Sequence, residues 1–182
     1  SFFAISLFLL CVQRFATGKS PWWMLGSSAL LGLIILIRPV NALVVLALPV
    51  LLGAGTVGML KRLISHRLML MLSIALFAAI LFIQPLLWHA QTGQWYAYGY
   101  SGEGFHWSSP EMLKVLFGFR RGLFLWAPVL LLVLLGTALL LKRDRVRGLG
   151  MVLYLVINTY VISAWWIWYY GSGFGSRPFV DH

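Results

Sequence analysis

The run LMLMLSIALFAAILFIQPLLW, Leu68 to Trp88, carries no charged side chain, and its most polar member is the single amide Gln84. A helix needs about 20 apolar residues to cross the roughly 30 Å hydrocarbon layer of a bilayer, and this run meets that length. Working outward, comparable runs occupy Ser1 to Val12, about Pro21 to Ile37, Ala42 to Leu60, about Gly122 to Leu141, and Leu149 to about Tyr169. The pattern predicts an all-α polytopic membrane protein with about six transmembrane helices, the first truncated. Pro49, Pro85 and Pro128 fall inside these runs and predict kinks, because neighbouring helices can satisfy the carbonyls a proline frees. Composition agrees: 61% of the residues are hydrophobic and 10% are charged, against about 25% charged in a soluble domain. A soluble globule is excluded.

Ser1 lies in mid-run with no basic leader, which argues against a signal peptide, and Asp181-His182 lies in a polar segment. The chain therefore reads as an internal piece of a longer protein. Residues 1–169 form a transmembrane helical domain with an external loop at 89–121, and residues 170–182 form a truncated, glycine-rich external loop.

Fourteen Lys and Arg against four Asp and Glu give a net charge of +10. The cations punctuate apolar runs instead of forming a basic patch interleaved with exposed aromatics, so the expected partners are membrane lipids and not nucleic acid. Arg14 and Lys19, then Lys61, Arg62 and Arg67, then Lys142, Arg143, Arg145 and Arg147 fall in alternate loops. The positive-inside rule makes these loops cytoplasmic, as in a multi-pass protein of the plasma (inner) membrane. The lone Cys11 allows no intrachain disulfide, no His/Cys spacing fits a metal, and no cofactor is implied.

Arg38, Lys114, Arg120, Arg121 and Arg177 fall on the external side, against the usual bias. A planar, permanently charged guanidinium suits bidentate phosphate binding, which makes these arginines candidates for an anion site. Snorkelling to lipid head groups or pairing with nearby acids accounts for them equally well. Within the external segment, Trp95, Tyr96, Tyr98, Tyr100, Phe105 and Trp107 have the composition of a membrane boundary. Ser109-Pro110-Glu111 predicts the start of a short helix running to about Phe117, with Ser109 as cap and Pro110 at the first helical position. That helix delivers Arg120 and Arg121 to the mouth of the fifth span.

The last span ends in Trp165-Trp166-Ile167-Trp168-Tyr169-Tyr170. These rings serve either as an aromatic belt or as a platform for a sugar or prenyl chain. The following Gly171, Gly173 and Gly175 permit sharp turns and bring backbone amides near a bound anion beside Arg177. No third glycine stands at the spacing of a dinucleotide fingerprint, and that reading is discarded. Gln84, Asn158, Thr159 and Ser163 are expected to bond between helices.

Three motifs in order, Arg38-Pro39-Val40-Asn41, Phe117-Gly118-Phe119-Arg120-Arg121-Gly122-Leu123-Phe124-Leu125-Trp126-Ala127-Pro128, and Trp165 through Arg177, resemble those of bacterial membrane glycosyltransferases of the GT-C class. They are most similar to the dolichyl-phosphate-mannose protein mannosyltransferase family, glycosyltransferase family 39. The resemblance implies transfer of a sugar from a polyprenyl-phosphate carrier to a hydroxyl of a protein, lipid or glycan acceptor, outside the membrane. It implies phosphate binding by Arg38, Arg120, Arg121 and Arg177. Contacts to sugar, acceptor or lipid are implied for Glu103, His106, Trp165, Trp168, Tyr169, Gly173, Gly175 and Asp181. The catalytic carboxylate of such enzymes lies in a first external loop, expected before Ser1. The alternatives are a transporter or flippase for a lipid-linked or anionic substrate, and a non-catalytic membrane scaffold.

Overall fold

The computed structural model describes residues 2–97, 102–170 and 179. Their secondary structure is helical, and the chain divides into two compact units, Ser1–Gly99 and Tyr100–His182.

The first unit contains α1 (Phe2–Ala16), α2 (Trp22–Ile37), a 3₁₀ stretch (Pro39–Ala47), α3 (Leu48–Leu52), α4 (Gly55–Ser65) and α5 (Arg67–Thr92). Ile5, Phe8 and Val12 of α1 pack with Ile34 of α2 and Val44, while Phe15 packs with Met24 and Met59. The N-terminal part of α1 thus meets the C-terminal part of α2, and the two run antiparallel. Met24 also packs beside Met69 and Leu70, and Gly32 lies against Ile80, so α2 and α5 run in the same direction. A β-carbon on Gly32 would sit 3.0 Å from Ile80 Cγ2. The missing side chain lets the two helices approach, as small residues do where packing replaces the hydrophobic effect between lipid-embedded helices.

This packing gathers two of the basic loops at one end of the unit. Arg62 Nη2 donates to the Lys19 carbonyl at 2.7 Å, and its guanidinium carbon lies 5.4 Å from the centre of the Phe15 ring. Arg38 caps the opposite, C-terminal end of α2.

The expected span from Ala42 to Leu60, predicted to kink at Pro49, is broken at Gly53 instead. It runs as 3₁₀ helix, then α3, then α4, with an angle of 118° between Pro39–Leu52 and Gly55–Ser65. Gly53 makes the corner at φ 57°, ψ −133°, a conformation that a side chain strongly opposes. The prolines also act differently from one another. Pro49 and Pro128 each stand in the first turn of a new helical piece, where the missing N–H is not needed, whereas Pro85 sits within an unbroken α5.

The second unit holds α6 (Met112–Phe117), α7 (Leu123–Trp126), a 3₁₀ turn (Pro128–Leu130), α8 (Leu131–Arg143) and α9 (Arg145–Ser163). The interfacial helix begins later than the Ser109-Pro110 signal predicts: Glu111 occupies the capping position, and no side chain caps the helix. Instead the Glu111 N–H donates to the Ser163 carbonyl at 3.0 Å, so a tertiary bond takes over from the local cap.

By length and composition α5 and α9 can each cross a bilayer, and the bent pair makes a third span if counted as one. The other expected spans are helical but short or interrupted. At 1.5 Å per residue α1 and α2 reach only about 23 Å, and the fifth run is divided at Ala127-Pro128. On α5, Leu68 and Met71 are each 68% exposed. An apolar surface of this kind along a whole helix requires lipid or another apolar cover.

Candidate functional site

The second unit joins cationic and aromatic groups from sequence positions far apart. Gly122 N–H donates to the Gly118 carbonyl at 2.6 Å, closing residues 118–122 into a tight loop between α6 and α7. This loop carries Arg120 and Arg121. The Arg121 Nη1 donates to the carbonyls of Tyr169 (3.0 Å) and Tyr170 (3.3 Å), tying the loop to the aromatic segment after α9. Those two bonds leave its Nε and Nη2 donors for another acceptor. The exposed Arg120 lies over the Tyr169 ring, 3.8 Å from guanidinium carbon to ring centre. Trp126 Nε1 adds a bond to the Phe119 carbonyl at 3.2 Å.

Close approach depends on Gly118. A β-carbon there would meet the Lys114 carbonyl and come within 2.8 Å of Trp168 Cη2. Trp168 in turn meets the Tyr169 ring edge-on, with centroids 5.6 Å apart at 86°. Gly118, Trp168, Tyr169 and Arg120 therefore form one continuous stack of contacts.

The segment before α6 folds back on the end of α9. Phe105 and Trp165 form an isolated antiparallel bridge, His106 N–H donates to the Ala164 carbonyl at 2.6 Å, and Trp166 N–H donates to the Gly104 carbonyl at 2.9 Å. Phe105 stacks on Trp107 at 4.6 Å and meets Trp165 edge-on at 4.9 Å. Tyr160 OH donates to the Trp107 carbonyl at 2.6 Å, and Tyr170 OH to the Ile162 carbonyl at 2.8 Å. The sequence reading did not single out Tyr160 or Gly118. A one-turn offset between Tyr160 and the Ala164-Trp165 end of α9 was the available signal for the first, and the glycines bracketing the Arg-Arg pair for the second.

The same unit contains an apolar cleft of about 480 Å³. Its walls include Leu116 and Phe117 from α6, Leu123 and Phe124 from α7, and Tyr154 and Leu155 from α9. The arginine loop links two of those walls. The cleft also escaped the sequence reading, although Met151, Tyr154, Leu155 and Thr159, which line it, recur at helical spacing along α9.

The sequence-derived candidates thus divide. Arg120, Arg121, Trp165, Trp168 and Tyr169 come together. His106 joins them through its backbone, with its side chain exposed, and the half-buried Glu103 lies in the same folded-back segment. Arg38 belongs to the first unit, while Arg177, Gly173, Gly175 and Asp181 lie outside the described residues. Among the described residues, Lys114 pairs with Glu111 at 2.8 Å, whereas no carboxylate pairs with Arg120 or Arg121. Among the described residues, pairing with acids therefore does not explain the two arginines; beside their contacts to the Tyr169 and Tyr170 carbonyls and the Tyr169 ring, lipid head groups or a dedicated anion remain as readings.

Chemically, the arrangement offers two guanidinium groups on a loop that joins two walls of an apolar cleft, with the Tyr169 ring packed on Arg120. That suits an amphipathic ligand with an anionic head. No protein-family model, curated protein or solved structure matches this chain.

Proposed function

We propose that the chain belongs to a glycosyltransferase that moves a sugar from a polyprenyl-phosphate carrier to an acceptor hydroxyl on the external face of the membrane. The observation that carries this reading is the position of Arg120 and Arg121 on a loop joining two walls of an apolar cleft. In this reading the cleft takes the first isoprene units of the carrier, and the arginines hold its phosphate. As the glycosidic bond breaks, negative charge gathers on the departing phosphate oxygen, and cations fixed beforehand stabilise it without reorganising. Arg121 is fixed by the Tyr169 and Tyr170 carbonyls, and Arg120 by the face of Tyr169. The rings of Trp165, Trp168 and Tyr169 offer surfaces for the sugar. In this reading the Lys/Arg-rich loops face the cytoplasm by the positive-inside rule, and the arginine loop lies on the external side against that bias.

The intact protein, supplied with a labelled polyprenyl-phosphate sugar and membrane extract as acceptor, is expected to transfer label. Arg120→Ala should lower that transfer by about 100-fold, the scale of losing one preorganised transition-state donor. Its stability should change little, since an exposed cation–π contact contributes about 0.5–1 kcal/mol. Unchanged transfer by a folded Arg120→Ala variant would exclude that arginine from the site, and absence of transfer by the native protein would exclude the enzyme reading.

One observation favours a flippase or transporter. The Pro39–Ser65 segment is a broken helix, and it contains the buried Asn41, whose Nδ2 has no hydrogen-bond partner. Broken helices with unwound polar backbone are typical of transport sites. Movement of the lipid-linked sugar across vesicles without release of label would select this second reading.

A further inference from the structure

We propose that the turn between α8 and α9 is a binding site for the head group of an anionic phospholipid. This inference is independent of the glycosyltransferase reading. Helix α8 ends at Arg143 and α9 begins at Arg145, leaving Asp144 as the whole connection. Lys142, Arg143 and Arg145 line an open cleft of about 740 Å³ together with Leu141 and Leu149.

Three features distinguish this cleft from a loop whose charges serve orientation alone. First, the one acid in the turn, Asp144, is already engaged. Asp144 Oδ1 accepts from the Arg147 backbone N–H at 3.1 Å, and its Oδ2 lies 3.4 Å from Arg147 Nε. Arg147 is thereby offset, and among the described residues no carboxylate pairs with Lys142, Arg143 or Arg145. Second, the cations are held in a concave shape by close packing. A β-carbon on Gly148 would stand 2.5 Å from Leu141 Cα, so the two helices meet nearly backbone to backbone just beyond the turn. Third, the charges border exposed apolar surface. Leu149 is 61% exposed, and Leu153, one turn further along α9, is also exposed.

The last feature selects the ligand. A soluble phosphate gains nothing from leucines, whereas a phospholipid places its phosphate among the cations and its acyl chains along the apolar flank. A cationic pocket at the end of a membrane helix is the known geometry for acidic head groups. The basic loop of the first unit lacks this construction, because its Arg62 is bonded to the Lys19 carbonyl and lies on the Phe15 ring.

The test is a titration of the purified intact protein, in phosphatidylcholine-containing micelles, with phosphatidylglycerol, followed by native mass spectrometry. Arg143→Gln and Arg145→Gln should each weaken phosphatidylglycerol binding about fivefold, the scale of one cation at an anionic membrane surface. Each variant alters an exposed side chain and leaves the turn cationic, so folding and orientation are retained. Lys61→Gln should leave binding unchanged, and millimolar inorganic phosphate should not compete. Three results would each overturn the proposal: native-like binding by both arginine variants, an equal loss in Lys61→Gln, which would reveal general charge attraction, or competition by inorganic phosphate, which would reveal a free-anion site.

Discussion

Replacing Arg121 with alanine is expected to lower the apparent unfolding midpoint, with a loss of about 3 kcal/mol. The guanidinium makes two charge-assisted hydrogen bonds, to the Tyr169 and Tyr170 carbonyls, across 48 and 49 residues of sequence. Hydrogen bonds to a charged group contribute about 1.5–3 kcal/mol each, and partial exposure of the site brings the pair to the lower part of their sum. Truncation also leaves both carbonyls without this donor. Arg121→Lys should recover part of the loss, because both bonds come from the single nitrogen Nη1 and an ammonium nitrogen also carries more than one donor hydrogen. Thermal unfolding of the three forms in one detergent, monitored by circular dichroism, measures the order directly. An alanine variant as stable as the native chain would mean that Arg121 does not anchor the aromatic segment.

Gly118→Ala should be nearly as damaging although it adds a single methyl group. The new carbon has two neighbours that resist movement: the Lys114 carbonyl, fixed in α6, and the Trp168 ring at 2.8 and 3.1 Å. Overpacking of this kind costs about 1–3 kcal/mol. Trp168 must yield, and its edge-on contact carries the displacement to Tyr169 and so to Arg120. A loss of both stability and polyprenyl-phosphate binding is the expected result. Gly136→Ala is the matched control: its β-carbon would meet nothing within 4 Å, and alanine favours a helix by about 1 kcal/mol over glycine. The two substitutions should therefore move the unfolding midpoint in opposite directions, and equal effects would contradict the close approach of Trp168 to the loop.

The sequence makes the helices legible where apolar length alone decides them. Leu68 to Trp88 lies within α5, and the run from Leu149 becomes most of α9. The alternation of basic loops is matched in the first unit by the antiparallel α1–α2 pair, by α2 and α5 running alike, and by the bond from Arg62 to Lys19. Breaks were less legible. Hydropathy runs unchanged through Leu52-Gly53-Ala54, so only the backbone angles of Gly53 disclose the 118° bend. In the same way Ser109 and Pro110 carry a local capping signal that loses to the bond from Glu111 to Ser163, which no local pattern contains.

The candidate site was readable as residue types but not as roles. Arg120 and Arg121 are adjacent in sequence, yet one lies on a ring and the other grips two backbone carbonyls. Carbonyl acceptors are the same at every position, so sequence cannot point to them. The cleft was hidden for a related reason: its wall residues are ordinary helix-face side chains until α6, α7 and α9 are brought together.

The most direct test is photo-crosslinking of the intact protein with a polyprenyl phosphate bearing a diazirine in its first isoprene units. Adducts are expected on peptides spanning residues 112–124 and 151–159, lost in Arg120→Ala and displaced by unlabelled polyprenyl phosphate but not by the uncharged polyprenol. Adducts spread along the lipid-facing surface of α5, or an equal yield from the uncharged alcohol, would contradict binding of the carrier in the cleft.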